Sequence, residues 1–203
     1  MPSVTEVLDY LTEKELLGFF LNNSKAKREA ISKEALRIGS DVDRLIQLDI
    51  KGERVEAPTD PKVCNSFLAW RLFIADHPEF KSHVLSIQEE LRQGELIGHP
   101  DIIYEDEDVI GVIDIKTSRA IYGKYWLQTA KYLDMTGRKG ARFIAVLRLD
   151  KETGKYEYSY QTSEDFISYQ IKVFNAYLEV YYHNYNLREV LRSQLEREVL
   201  GVS

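Results

Sequence analysis

From residue 84 onward the apolar residues of this chain stop recurring at helical spacing and begin to alternate, and that change of period most constrains the fold. VLSIQEEL, ELIGHPDIIYE and DVIGVIDIKTS read as extended segments, with RQG and the acidic EDED as the turns between them. That pattern predicts an antiparallel meander of three strands. YGKYWLQTAKYLDMTGRKG then reads as a helix closing near Gly137. ARFIAVLRLD, rich in apolar and β-branched residues, has the length of a buried strand. KETGK turns it into KYEYSYQ, an edge strand with alternating tyrosines.

Before residue 84 the spacing is helical. PSVTEVLDYL and TEKELLGFFLNN read as short helices opened by Ser3 and Thr12. SKAKREAISKEALRIGSDVDRLIQL is longer, with one apolar stripe at Ile31, Ala35, Ile38, Val42, Leu45 and Ile46. Gly39 inside it points to close packing there. Thr59 or Asp60 caps the next helix, whose first turn holds Pro61 and whose inner face is Val63, Phe67, Trp70 and Ile74. After the edge strand, Ser163 caps a helix bearing Phe166, Tyr169, Val173, Tyr177 and Val180, and a further helix runs from about Leu187 to Leu200. This order of elements makes an α/β or α+β core. The 203 residues suit one domain: a helical cap or side wall over 1–80, a sheet core over 81–162 and C-terminal helices over 163–203.

Composition removes several function classes. No apolar run approaches the ~20 residues of a membrane span, and the N-terminus lacks the layout of a signal peptide, so no membrane role is expected. Cys64, the single cysteine, cannot form an internal disulfide, nor alone hold zinc or an iron–sulfur cluster; it reads as a small core residue on a helix. A reducing, cytoplasmic setting follows. His77, His83 and His183 show no zinc spacing. The net charge of -6 argues against a protein that coats phosphates generically, but leaves room for a nucleic-acid enzyme with a local basic groove.

Charges interrupt the two strands around EDED: Asp101 in the first, Asp114 and Lys116 in the second. Alternation puts Asp114 and Lys116 on one face, with Ile113 and Ile115 on the other. Antiparallel pairing can bring Asp101 beside Asp114. Two half-buried carboxylates repel unless a cation joins them, and oxygen ligands suit Mg²⁺ or Mn²⁺. Lys116 beside them can orient or deprotonate a water. The plainer reading is a salt bridge between Lys116 and an aspartate at the sheet edge.

Gly98-His99-Pro100-Asp101, then Asp114-Ile115-Lys116, then Gln128-Thr-Ala-Lys-Tyr132 resembles the PD-(D/E)XK nuclease superfamily, in particular its RecB-like exonuclease branch, where G-x-x-D, D-x-K and Q-x-x-x-Y occur in this order. Pro2 to Leu8, PSVTEVL, is similar to an S-V-T segment of phage and mitochondrial genome-maintenance exonucleases, and ALRIGSDVDRLIQ resembles their A-x-x-x-G-[ST]-x-V-H-x-x-x-E segment. The similarity spans roughly residues 2 to 135; the remainder matches only in element order. Two positions depart from the family. Asp43 stands where its metal-binding histidine would be, and either Glu89 or Glu90 stands near its acidic strand position.

The resemblance implies a restriction-endonuclease-like core, a mixed central sheet with flanking helices and an N-terminal helical cap. It implies a metal-dependent DNA exonuclease without an iron–sulfur cluster, in the cytoplasm or, for a phage protein, that of the host. Asp101, Asp114 and the carbonyl of Ile115 would hold Mg²⁺ or Mn²⁺, with Asp43 and Glu89 completing the site. Lys116 would position and activate water. Gln128 and Tyr132, four apart on one helix face, would orient DNA with single-stranded character or free ends, and Lys124, Lys131 and Arg119 would contact phosphates. His99 reads as a strand-surface residue. The alternatives are a catalytically silent DNA-binding or scaffold member, and a sequence-specific endonuclease, for which no base-reading loop is evident.

Overall fold

The computed structural model describes residues 1–9 and 24–200, with side chains to residue 186. A short helix α1 (Val4–Asp9) is followed by α2 (Lys25–Ile50), α3 (Pro61–Asp76) and a single 3-10 turn at Phe80–His83. Next come β1 (Val84–Ile87), β2 (Leu91–Gln93), β3 (Leu96–Gly98), β4 (Ile102–Asp106) and β5 (Val109–Lys116). Helix α4 (Gly123–Thr136) crosses over to β6 (Ala141–Leu149), β7 (Tyr156–Gln161) returns, and α5 (Glu164–Leu200) closes the chain. The main sheet has the order β1-β4-β5-β6-β7. Only the β5–β6 pair is parallel, because α4 carries the chain back to the starting end of the sheet. This mixed sheet between helical layers is the α/β architecture expected from the order of elements, and is consistent with a restriction-endonuclease-like fold.

Local chemistry sets the boundaries. Ser3 Oγ accepts from the Glu6 N–H at 3.0 Å at the start of α1, and Ser24 Oγ from the Lys27 N–H at 3.3 Å at the start of α2. Asp60 caps α3 with Pro61 at its first position, and Gly137 ends α4 in a left-handed turn. The sheet has a core on each face. Ile103, Val112 and Ile144 pack under α1, α4 and α5 against Val7, Leu133 and Phe174. Ile102, Ile113 and Leu147 pack under α2 and α3 against Val42, Trp70 and Phe73. Each such side chain contributes about 1.5–3 kcal/mol when fully buried.

The structure differs from the sequence reading in several places. The first two predicted strands are each divided, and β2 and β3 pair apart as a separate hairpin. The chain leaves the main sheet at Gln88, in a left-handed conformation at φ 51°, and re-enters at Ile102 after Pro100, which has no N–H to donate to a ladder. Ile31 is 41 % exposed, and the buried stripe of α2 begins only at Ile38, because the first turns of α2 run past the sheet. On α3 Val63 and Trp70 are buried as expected, but Phe73 takes the place of Phe67 and Ile74, which are only partly buried. On α5 the buried face is Ile167, Phe174 and Tyr181, while Tyr169 and Val180 are exposed. That helix continues unbroken to Leu200, no Gly or Pro interrupting it. The helix expected from Thr12 lies outside the described residues. Among the described residues no helix is long and apolar enough to cross a membrane.

Candidate active site

The β4–β5 register sets Ile102 against Ile113, and one residue further the same register sets Asp101 opposite Asp114. Asp114 is 1 % exposed. Its Oδ1 accepts a hydrogen bond from Lys116 Nζ at 2.7 Å. Its Oδ2 lies 2.7 Å from the same nitrogen, yet receives no hydrogen bond of its own. Asp101 Oδ2 accepts from the backbone N–H of Ile115 at 2.7 Å, tying the start of β4 to the end of β5. The Lys116 ammonium stands 5.1 Å from the centroid of the Tyr125 ring on α4.

Asp43 approaches from α2. Its Oδ2 accepts from Gln47 Nε2, one helical turn on, at 2.8 Å, and its Oδ1 faces Gln88 Nε2 at 3.5 Å. The same Gln88 nitrogen donates to Asp101 Oδ1 at 2.8 Å. Burial pushes the Asp43 carboxyl up to about 6, with the Asp101 charge adding to the effect and the two glutamine amides opposing it. Burial likewise pushes Asp114 up to about 7 against the pull of Lys116, Asp101 again adding. Burial disfavours the Lys116 cation, but Asp114 and Asp101 outweigh that and hold its pKa above the usual lysine value.

Among the described residues no three His, Cys, Asp or Glu side chains already form a cage for an ion. The donor set nevertheless fits a hard divalent cation. It consists of oxygen, it gathers aspartates whose charges oppose one another, and it includes a buried carboxylate, Asp114, whose Oδ2 is close to the Lys116 ammonium without completing a hydrogen bond to it. Asp43, Asp101, Asp114 and the carbonyl of Ile115 are the groups able to hold it.

Asp43, Asp101, Ile115 and Lys116 line a cleft of about 620 Å³ between α2 and the loop after β5, while Asp114 is buried and reaches it through its bond to Lys116. Leu36 and Ser32 line it from α2, Lys116 from the end of β5, Lys124 from the first turn of α4, and Lys151 from the β6–β7 turn. Lys151 carries no signal in the sequence, where KETGK reads only as a turn. Gly39 lies where α2 approaches the loop: a Cβ there would stand 4.0 Å from Thr117 Oγ1.

Gln128 and Tyr132 are placed otherwise than expected. Both are buried, so they do not face a nucleic acid directly. Gln128 Nε2 donates to Tyr132 Oη at 3.1 Å and to Thr5 Oγ1 at 3.3 Å. The Tyr132 ring fills the space beside Gly98, where a Cβ would stand 2.7 Å from Tyr132 Cε1. The glycine, the glutamine–tyrosine pair and the threonine of PSVT are thus one packing unit that joins β3, α4 and α1 next to the aspartates.

Lys131 is turned inward as well. It is 3 % exposed and its ammonium is spent internally, donating to Gln93, to Asp134 Oδ2 at 2.8 Å and to Asn175 Oδ1 at 3.0 Å. Glu89 does not reach the aspartates. Arg138 Nη2 donates to its two oxygens at 2.9 and 3.0 Å, and Ser86 Oγ donates at 2.6 Å. Glu90 pairs with Arg92. Gln88, one residue before Glu89, is the side chain that reaches Asp101 and Asp43. Lys124 lines the cleft with its Nζ 3.8 Å from Asp9 Oδ1, Arg119 is exposed on the loop after β5, and His99 is exposed.

Fold and site together define a mixed α/β core with aspartates and a lysine gathered where its central strands meet. No family model matches the sequence, and no curated protein matches it. Among solved structures the chain is similar to an alkaline exonuclease, LHK-Exo, from Laribacter hongkongensis, with 14% identity over 95% of this chain and 94% of that one and a TM-score of 0.45. The same exonuclease in complex with dAMP gives 13% identity, 95% and 93% coverage and a TM-score of 0.46. SSO0001 gives 14% identity, 69% and 73% coverage and a TM-score of 0.32. Similarity at this level carries no argument about chemistry, which rests on the residues themselves.

Proposed function

We propose that this chain is a metal-dependent deoxyribonuclease of PD-(D/E)XK type and, more finely, a RecB-like exonuclease acting on DNA ends with single-stranded character. The observation that carries this reading is the meeting of Asp101, Asp114 and Lys116 beside the cleft, Asp101 and Lys116 lining it and the buried Asp114 lying 2.7 Å from Lys116 Nζ. Asp101, Asp114, the Ile115 carbonyl and Asp43 would hold Mg²⁺ or Mn²⁺. Such an ion, when bound, makes water a stronger nucleophile and offsets charge developing on the scissile phosphate. Lys116 orients the attacking water and donates to the phosphate oxygens. The water gives up a proton to solvent as its oxygen bonds to phosphorus and the ester P–O bond breaks, and the leaving oxygen takes a proton from solvent. Lys124, Arg119 and Lys151 contact flanking phosphates. Gln128 and Tyr132 act indirectly, by fixing α1 and α4 around the site. In this reading α2, which forms one wall of the cleft, favours a strand threaded from an end.

End-labelled single- and double-stranded DNA, linear and circular, incubated with Mn²⁺ or with EDTA, tests the reading. Cleavage confined to linear DNA and to Mn²⁺ is the expected result. Equal cutting of circles would make the enzyme an endonuclease. Retention of DNA without cutting under any metal would make it a silent binder.

A further inference from the structure

We infer that Gln88 belongs to the metal site, its side-chain carbonyl being the neutral oxygen donor that joins Asp43, Asp101 and Asp114 around the ion. This rests on the metal-dependent reading above.

The backbone supplies the first reason. Strand β1 ends at Ile87, after a register shift between Val84 and Ser86 against β4. Gln88 follows at φ 51°, a region that L side chains rarely adopt. Among the described residues one other non-glycine side chain, Glu107, has a positive φ, and it sits in the two-residue β4–β5 hairpin, where such a turn is ordinary. Gln88 occupies no hairpin of that kind. Its N–H donates to the Asp101 carbonyl at 3.2 Å, anchoring a conformation that aims its side chain between Asp101 and Asp43.

The second reason is what the side chain does there. Gln88 Nε2 lies 2.8 Å from Asp101 Oδ1 and 3.5 Å from Asp43 Oδ1, a donor between two carboxylates. An amide nitrogen in that position does for the metal-free pair what a cation would do. A half-turn about the last side-chain bond exchanges the nitrogen for the carbonyl oxygen, a ligand of the kind hard divalent cations take. The adjacent carboxylate, Glu89, is held elsewhere by Arg138 and Ser86, so the amide is the group available at this place. A neutral donor also adds no further negative charge to three clustered aspartates.

Mn²⁺ titration by calorimetry, with thermal melting in EDTA and in Mn²⁺, tests this on the native chain, Gln88→Gly and Gln88→Glu. Gln88→Gly suits the left-handed backbone, so its melting in EDTA is expected to match the native chain or exceed it, while its Mn²⁺ affinity falls by about tenfold or more. Gln88→Glu adds a carboxylate to the cluster. It is expected to melt lower in EDTA and to gain more from Mn²⁺ than the native chain does. Native-like Mn²⁺ affinity in Gln88→Gly overturns the inference while leaving the metal site standing, and so does a Gln88→Glu chain whose Mn²⁺ shift is no larger than native. A native chain that binds no Mn²⁺ sinks the inference together with the reading beneath it.

Discussion

Lys116 is the side chain whose removal separates chemistry from binding. It is one ammonium among several along the cleft, yet the only one of them bonded to Asp114 among the described residues. Lys116→Ala is expected to lower single-turnover cleavage by about 10²–10³-fold while leaving the affinity for an end-labelled strand nearly unchanged. A variant that cuts at the native rate would remove Lys116 from the mechanism. Asp49, near the end of α2 and not part of the cleft lining, makes a different prediction. Its burial alone would raise its pKa, but hydrogen bonds from Lys81 and Trp70 and the charges of Lys81 and Arg71 hold it below its ordinary 3.8. A carboxyl whose folded pKa is depressed contributes stability that is present above its unfolded pKa and is lost as the pH falls through its folded pKa. Asp49→Asn should therefore be less stable than the native chain by about 1–3 kcal/mol near pH 7, and the gap should close below about pH 4. A gap in denaturation midpoint that is independent of pH would show the bond geometry, not the charge, to be what matters.

Between elements, the contact that deserves a test is the one from β3 to α4. Gly98 leaves room for the Tyr132 ring, and Gln128 ties that ring's hydroxyl to α1 through Thr5. Gly98→Ala is expected to destabilise the fold by about 1–3 kcal/mol through overpacking. Tyr132→Ala should lose about 3–5 kcal/mol by opening a cavity. In the double variant the new methyl has space, so chemical denaturation should give a loss smaller than the sum of the two. Strict additivity would mean that glycine and ring do not share that space. The three motifs were legible in the sequence as residues at fixed spacing. Their meaning as packing was not, since spacing on a helix tells which side chains share a face but not whether that face meets solvent or protein. Lys131 shows the same limit: a lysine on an amphipathic helix looks exposed until Gln93, Asp134 and Asn175 are folded around it.

For the molecule as a whole, the clustered aspartates make the metal a folding partner. Binding to the native state alone stabilises it by about 2.7 kcal/mol at a metal concentration one hundred times Kd. For a chain of this size that corresponds to a rise of about 5–10 °C in melting temperature. Millimolar Mn²⁺ should produce such a shift in the native chain and a much smaller one in Asp114→Asn. Equal melting of the native chain with and without Mn²⁺ would count against any paired-carboxylate metal site. The mixed α/β class, the helix caps at Ser3 and Gly137, a cap at Thr59 or Asp60, and the juxtaposition of Asp101 with Asp114 and Lys116 could all be read from residue order. Each depends on short-range rules: the period of an element, the chemistry of its ends, and a hairpin turn that makes register a matter of counting. The place of Gln88 between two carboxylates, the turning away of Glu89, the burial of Tyr132 and Lys131 and the cleft position of Lys151 belong to the tertiary structure. They are set by which faces of distant segments meet, and no local period encodes that, because burial and charge pairing are properties of the assembled whole.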